Sequence, residues 1–302
     1  MADEIVTGSG AGAQAHLAAI YRQEASVALA DRASLRMHPS LGNLGTDIIM
    51  GAPAQKGAIY DLDVLEFTSV GEIATIANTA LTSSEFTCTP TRHGLAHALS
   101  DTVSMKNVDG ALNPVRLAQS IAGGVGTTFT SLACDLFDAW SSVGSTGVAF
   151  SLATVRAGQA ALRAAAVPGP YMMVISPQQL SSFITDLDTR GAHIQWNPAT
   201  PEMAALRGPG FQGTWDNIEV FTSTRVNESS GDYSGGMWGR GAIGFKEEVN
   251  LPGAGADVMV NVGPLLIEID RQARESTSGL VGSYRLGLAS IEAARGRRLL
   301  ST

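Results

Sequence analysis

Pro170-Tyr171-Met172-Met173-Val174-Ile175-Ser176-Pro177-Gln178-Gln179 passes from a strand into a helix without a spare residue. The apolar run Tyr171 to Ile175 reads as a strand. Ser176-Pro177-Gln178-Gln179 then forms a capping box: Ser at the N-cap, Pro at the first helical position, Gln at the third. Leu180, Phe183, Ile184 and Leu187 follow at helical spacing and give that helix its expected buried face.

Upstream, Leu152 to about Ala166 reads as a helix that stops at Pro168-Gly169-Pro170, and a second domain is expected to open near Ser151. Before it lies the longest helical signal in the chain. Asn113 is a good N-cap, Pro114 suits the first turn, and Leu117, Ile121, Val125, Phe129, Leu132, Leu136 and Trp140 make one apolar stripe. A helix from Pro114 to Trp140 would be about 40 Å long. Gly123, Gly124 and Gly126 within it cost up to about 1 kcal/mol each relative to Ala and signal a close backbone neighbour or a bend.

Still earlier the period changes to two. Tyr60, Leu62 and Val64 alternate with Asp61 and Asp63 across Ala58 to Phe67, and Phe86 and Cys88 alternate with Thr87 and Thr89 across Glu85 to Thr91. The two runs predict a long two-stranded ribbon with too little core to stand alone. Ser40 to Gly51 reads as a turn-rich connection. Leu17, Ile20, Tyr21, Val27 and Leu35 predict a helix from Ala15 to about Leu35, preceded by a loose Gly/Ala-rich start. Downstream of the capping box, Ile218 to Thr224 reads as a strand and Gly235 to Phe245 as a Gly-rich aromatic strand pair. Leu265 to Ile269, Tyr284 to Leu288 and Arg297 to Leu300 also read as extended.

Composition narrows the function classes. The 302 residues are 44% hydrophobic and 16% charged, with mean hydropathy +0.11. That is an ordered chain with a rather apolar surface, which favours subunit interfaces; a large-cored α/β enzyme has the same composition. The net charge of −8 argues against a groove that grips duplex nucleic acid. Lys56, Lys106 and Lys246 are the only lysines, so Arg carries nearly all positive charge, as suits interface pairing or a GC-rich genome. Cys88 and Cys134 fit neither a disulfide nor a zinc framework and suggest a reducing compartment. No signal peptide opens the sequence and no run is long enough to cross a membrane, which implies folding in a cytoplasm.

Motifs for chemistry are weak. Gly123-Gly124-Val125-Gly126-Thr127-Thr128 lacks the Lys and the preceding strand of a phosphate loop. Gly231-Asp232-Tyr233-Ser234-Gly235-Gly236 has its spacing broken by Tyr233 for a serine nucleophile, and no His motif precedes it, so it reads as a surface turn. His93 and His97 could share a helix face with Cys88 as a third ligand, but ordinary packing is the stronger reading. Asp61 and Asp63 read as a solvated strand face. Arg295, Arg297 and Arg298 read as a solvated terminus or an interface contact. The sequence therefore nominates no catalytic, cofactor-binding or metal-binding residue.

Taken in order, these segments resemble the major capsid proteins of tailed bacteriophages, whose Hong Kong phage fold is shared with encapsulins and herpesvirus capsid floors. The resemblance rests on the ribbon, the spine-like helix at Asn113 to Trp140 and the Tyr171 to Gln179 element. Gly213-Thr214-Trp215-Asp216-Asn217-Ile218-Glu219-Val220 and Gly239-Arg240-Gly241-Ala242-Ile243-Gly244-Phe245 complete it. It implies an α+β fold with an N-terminal arm (1–46) and an extended β-ribbon loop (47–92). A peripheral domain with the spine helix (93–150), an axial domain (151–262) and a return to the peripheral domain (263–302) would follow.

The resemblance further implies a non-enzymatic major capsid protein of an icosahedral bacteriophage head, built from hexamers and pentamers around double-stranded DNA without sequence-specific binding. It implies a separate scaffolding protein, a portal and a decoration protein as partners, no cofactor, no membrane, and a virion capsid assembled in the bacterial host cytoplasm. The alternatives are an encapsulin-like compartment that encloses protein cargo and, from a different class, an unrecognised cytoplasmic α/β enzyme. Some members of the resembled family weld subunits through an isopeptide bond from a ribbon Lys to an Asn. This ribbon offers only Lys56, with Asn250 and Asn261 as acceptors, so a non-covalent shell is expected.

Overall fold

The computed structural model describes residues 40–47, 55–60, 83–100, 114–191, 195–208, 210–249, 258–262, 264–272 and 277–302. In chain order these form β1 (Leu41–Asp47), β2 (Gln55–Tyr60), β3 (Ser83–Cys88), β4 (Thr91–Ser100), α1 (Pro114–Asp135), β5 (Ser142–Gly144), α2 (Leu152–Ala164), β6 (Tyr171–Ile175) and α3 (Pro177–Thr189). There follow β7 (Trp196–Pro198), α4 (Pro201–Arg207), β8 (Phe211–Trp215), β9 (Ile218–Thr222), β10 (Asn227–Ser229), β11 (Asp232–Trp238), β12 (Ile243–Glu248), β13 (Val258–Val262), β14 (Leu265–Gln272), β15 (Thr277–Ser290) and β16 (Gly296–Ser301).

An eight-stranded sheet is ordered β5-β16-β11-β6-β9-β8-β7, with β10 on β11. The predicted strand β6 is near its centre and all five of its residues are buried, as a strand covered on both faces requires. Alternation sorts its side chains. Met172 and Val174 join a core with Phe137, Phe221 and Trp238, while Tyr171, Met173 and Ile175 join a second core beneath α2 and α3, with Val155, Leu162, Phe183 and Leu187.

The capping box forms as the sequence predicts: Ser176 Oγ accepts from Gln179 N–H, and Gln179 Oε1 accepts from Ser176 N–H, both at 3.0 Å. Gln179 Nε2 also donates to Ser301 Oγ at 2.8 Å, which ties the helix start to the terminal strand β16. Ile184 departs from the expected buried face and is 37% exposed. Phe183 and Leu187 fill the space over the sheet, with Leu180 packed beside them.

In the six-stranded sheet, β15 is the common partner. β4 lies along one of its edges from Thr277 to Leu286. On the other edge β14 runs from Thr277 to Tyr284, and β12 continues from Arg285 to Ser290. β1 adds in parallel to β12, so the stretch read as a turn-rich connection is a strand for the seven residues Leu41–Asp47. Its glycines give turn-like composition, but the open edge of β12 supplies the pairing. The predicted helix at 15–35, the Asn113 cap and the Asp61/Asp63 face lie outside the described residues.

Sheet membership cuts across the segment bounds expected from sequence. β12 and β13 lie within 151–262 yet pair in the six-stranded sheet, and β16 lies within 263–302 yet pairs with β11 and β5 in the eight-stranded one. The expected Gly235 to Phe245 strand pair is likewise two strands in different sheets. β11 ends at Trp238, and the chain crosses at Gly239–Ala242 into β12.

α1 is the element that joins the two sheets. It covers 22 residues, about 33 Å at 1.5 Å per residue, and ends at Asp135 rather than Trp140. Leu136–Ala139 then forms a 3-10 turn. Its three-residue repeat aims both Phe137 and Trp140 at Trp238, with ring centroids 5.2 to 5.8 Å apart across the three. The helix glycines were expected to admit a backbone, yet a Cβ on Gly124 would meet only the Leu95 side chain, at 3.5 Å. The close approach comes from the strand side: a Cβ on Gly282 of β15 would overlap Ile121 of α1.

Candidate assembly surfaces

β2 and β3 pair antiparallel in register from Gln55 opposite Cys88 to Tyr60 opposite Ser83, forming the root of the predicted ribbon as a separate two-stranded sheet. Its inner end is anchored. Cys88 is fully buried, and three residues after it the chain enters β4 of the six-stranded sheet. Lys56 stands opposite Thr87 in this ladder. Of the two Asn named with it, Asn261 is exposed on β13 and Asn250 lies outside the described residues.

His93 and His97 lie on strand β4, not on a helix, opposite Tyr284 and Leu280 of β15. Four residues along a strand is about 13 Å, too far for both rings to hold one ion. His93 Nε2 instead pairs with Thr91 Oγ1 at 3.0 Å. Among the described residues no group of three or more His, Cys, Asp or Glu could hold a metal. Burial raises the Cys88 thiol pKa, opposed by a backbone hydrogen bond from Lys246 and by its charge. Burial, with the nearby charge of Asp135, pushes Cys134 up to about 12. Both thiols are free and stay protonated, as packing rather than reactive cysteines do.

Gly123 to Thr128 lie inside α1. Thr127 and Thr130 donate back to the carbonyls of Gly123 and Gly126 at 3.3 and 2.8 Å, so no loop exists there to cradle a phosphate. Gly231 closes the β10–β11 turn with φ of +87°, and Ser234 is buried, accepting from Arg298 at 2.7 Å. The C-terminal arginines are internal fasteners. Arg298 also pairs with Asp138 at 2.8 Å, Arg295 with Glu292, and Arg297 donates to the carbonyl of Ala294 at 2.9 Å.

Two features escaped the sequence reading. Phe245-Lys246-Glu247-Glu248 looks like a strand running out into solvent, yet Lys246, Glu247 and Glu248 are all buried. Tyr284 Oη donates to Glu247, and Arg285 Nη1 donates to Glu248 Oε2 at 3.0 Å. The cross-strand register makes these pairs, and only the partner strand could have signalled them. The second feature is an open cavity of about 440 Å3 between α1, β4 and β15, lined among others by His93, Leu95, Thr127, Thr128, Arg225 and Tyr284. Leu95 is 42% exposed there. Among the described residues no helix is long and apolar enough to cross a membrane.

This fold recurs in solved structures. The capsid of cyanophage P-SCSP1u is similar to this chain at 13% identity and a TM-score of 0.54, over 87% of this chain and 86% of that one. The capsid of a native GTA particle is similar at 12% identity and a TM-score of 0.56, over 90% of both chains. The chain has the Hong Kong phage capsid fold. An encapsulin of Synechococcus elongatus PCC 7942, seen in its holo-SrpI complex, shares that capsid fold at 12% identity and a TM-score of 0.56, over 89% of this chain and 86% of that one. No protein-family profile and no curated protein matches the chain.

Proposed function

We propose that this chain is a major capsid protein: a structural, non-catalytic subunit that self-assembles into the icosahedral head of a bacteriophage around double-stranded DNA. The observation that carries this reading is the capsid fold itself, matched over nearly the whole length in phage capsids. The unit around the eight-stranded sheet is the axial domain, clustering at the centres of hexamers and pentamers. The unit around α1 and the six-stranded sheet is the peripheral domain, and the ribbon rooted at β2 and β3 laps over a neighbour. The net charge of −8 suits a wall that encloses DNA without gripping it. A separate scaffolding protein, a portal and a decoration protein complete the particle, which is built in the host cytoplasm.

An encapsulin-like compartment is the second reading, favoured by the similarity to an encapsulin. Particles purified from the native source should contain nuclease-sensitive double-stranded DNA once opened. Particles that carry protein cargo and no genome would favour the compartment.

A further inference from the structure

An open cavity of about 500 Å3 lies where α2 meets the β8–β9 turn, lined by Arg156, Arg163, Gln195, Trp215 and Asp216 among others. The solvent face of α2 beside it consists of Ala153, Arg156, Ala157, Ala160, Arg163 and Ala164, all exposed. This face carries positive charge and no acid, and its alanines leave room for a second backbone. Trp215, at the cavity floor, is itself 1% exposed. Arg156 lies over the Trp215 ring, 5.9 Å from its centroid. Arg163 reaches Asp216 only at 3.7 Å, with both side chains about half exposed. Gln159 Nε2 donates to Asp216 O and Oδ2 at 3.0 and 3.1 Å, which leaves the exposed Arg156 and Arg163 guanidiniums to attract a carboxylate from outside.

The same sheet carries such a group at its other end. The β10–β11 hairpin, Asn227-Glu228-Ser229-Ser230-Gly231-Asp232, has acids and hydroxyls and no base. Asp232 is engaged internally, accepting from Gly147 N–H at 2.7 Å, whereas Glu228, opposite Tyr233 in the ladder, is exposed. The register fixes the separation. Tyr171 is level with Ile218 beside the β8–β9 turn, and Val174 is level with Gly236 on β11. Asp232 therefore lies some seven residues beyond that turn, about 23 Å along the strand direction. An arginine-lined cavity and an exposed hairpin glutamate at opposite ends of one sheet cannot meet within a subunit. They can meet head to tail between subunits, a contact that closes into a ring when the rotation permits.

We propose that the Arg156/Arg163/Trp215 cavity receives the Glu228 hairpin of a second copy of this chain, and that this contact sets the subunit order around the capsomer. The inference rests on the capsid reading above. The test is a charge swap in the full-length chain, with assembly followed by sedimentation and folding by circular dichroism. Arg156→Glu with Arg163→Glu should fold normally but need at least about tenfold more protein to assemble, because like charges then face each other. Adding Glu228→Arg to the same chain should restore assembly. Normal assembly of the double variant, or no restoration by the third substitution, overturns the proposed contact alone. Failure of the unsubstituted chain to assemble would overturn both this contact and the capsid reading.

Discussion

The indole Nε1 of Trp140 donates to Ser290 Oγ at 3.0 Å, and the face of the same ring covers Gly296, where a Cβ would overlap it. Ser290 ends β15 of one sheet and Gly296 begins β16 of the other. One side chain just past the 3-10 turn that follows the bridging helix therefore touches both sheets.

The opposite end of that helix offers a test of the same packing. Gly282→Val should destabilise the subunit by about 1–3 kcal/mol through overpacking against Ile121. Gly94→Ala on the neighbouring strand, where a Cβ would meet only the Gly282 carbonyl at 3.7 Å, should change stability by less than about 0.5 kcal/mol. Denaturant unfolding of the two variants measures the contrast. Equal effects would show that α1 does not depend on the gap at Gly282.

The buried charges on β12 make a second prediction. Arg285→Ala leaves Glu248, 1% exposed at its side chain, without its cation, and should cost about 3 kcal/mol. Arg285→Met with Glu248→Leu should recover most of that loss, since an apolar pair removes the stranded charge. The double-variant cycle, read by thermal unfolding, decides.

Asp186 links α3 to α2. Its Oδ1 accepts from Arg190 Nε at 2.7 Å and its Oδ2 from Leu152 N–H at 2.8 Å. The Arg190 hydrogen bond, helped by Leu152 N–H and opposed by desolvation, holds its pKa below the usual 3.8. A lowered folded-state pKa contributes stability that is full above 3.8 and is lost as pH falls through the folded value. Asp186→Asn should therefore cost about 1 kcal/mol at pH 7, a modest figure because Arg190 is largely exposed. The difference should shrink as the pH drops below 3.8. A cost that stays constant into acid would show that the carboxylate charge is not what matters.

Removing the ribbon separates folding from assembly. The natural cut from Gly57 to Thr91 would also take out Cys88, which is fully buried, and the first β4 pair with Leu286. A cut confined to 58–85 spares both. That variant should keep its circular dichroism and thermal transition while losing stable shells. Global unfolding, or normal assembly, would contradict the role given to the ribbon.

Local signals in the sequence were read well where they settle the structure by themselves. Ser176 and Gln179 must cap a helix whatever surrounds them, and the apolar run at Tyr171 to Ile175 has to be covered on both faces. Pairing was hidden, because register is a property of two segments together. Nothing in Gly235 to Phe245 tells that β11 and β12 part into different sheets, and nothing in Lys246-Glu247-Glu248 foretells Tyr284 and Arg285 across the ladder. The Arg156/Arg163/Trp215 cavity was illegible for the same reason: its residues come from a helix and a turn more than fifty positions apart.

Electron microscopy of the purified full-length protein, with sedimentation over a wide concentration range, tests the proposed shell directly. Closed particles or capsomers with five- and six-fold symmetry, in equilibrium with little free subunit, are expected. A single compact species of 31.3 kDa at every concentration, with no particles in the images, would contradict the proposed shell.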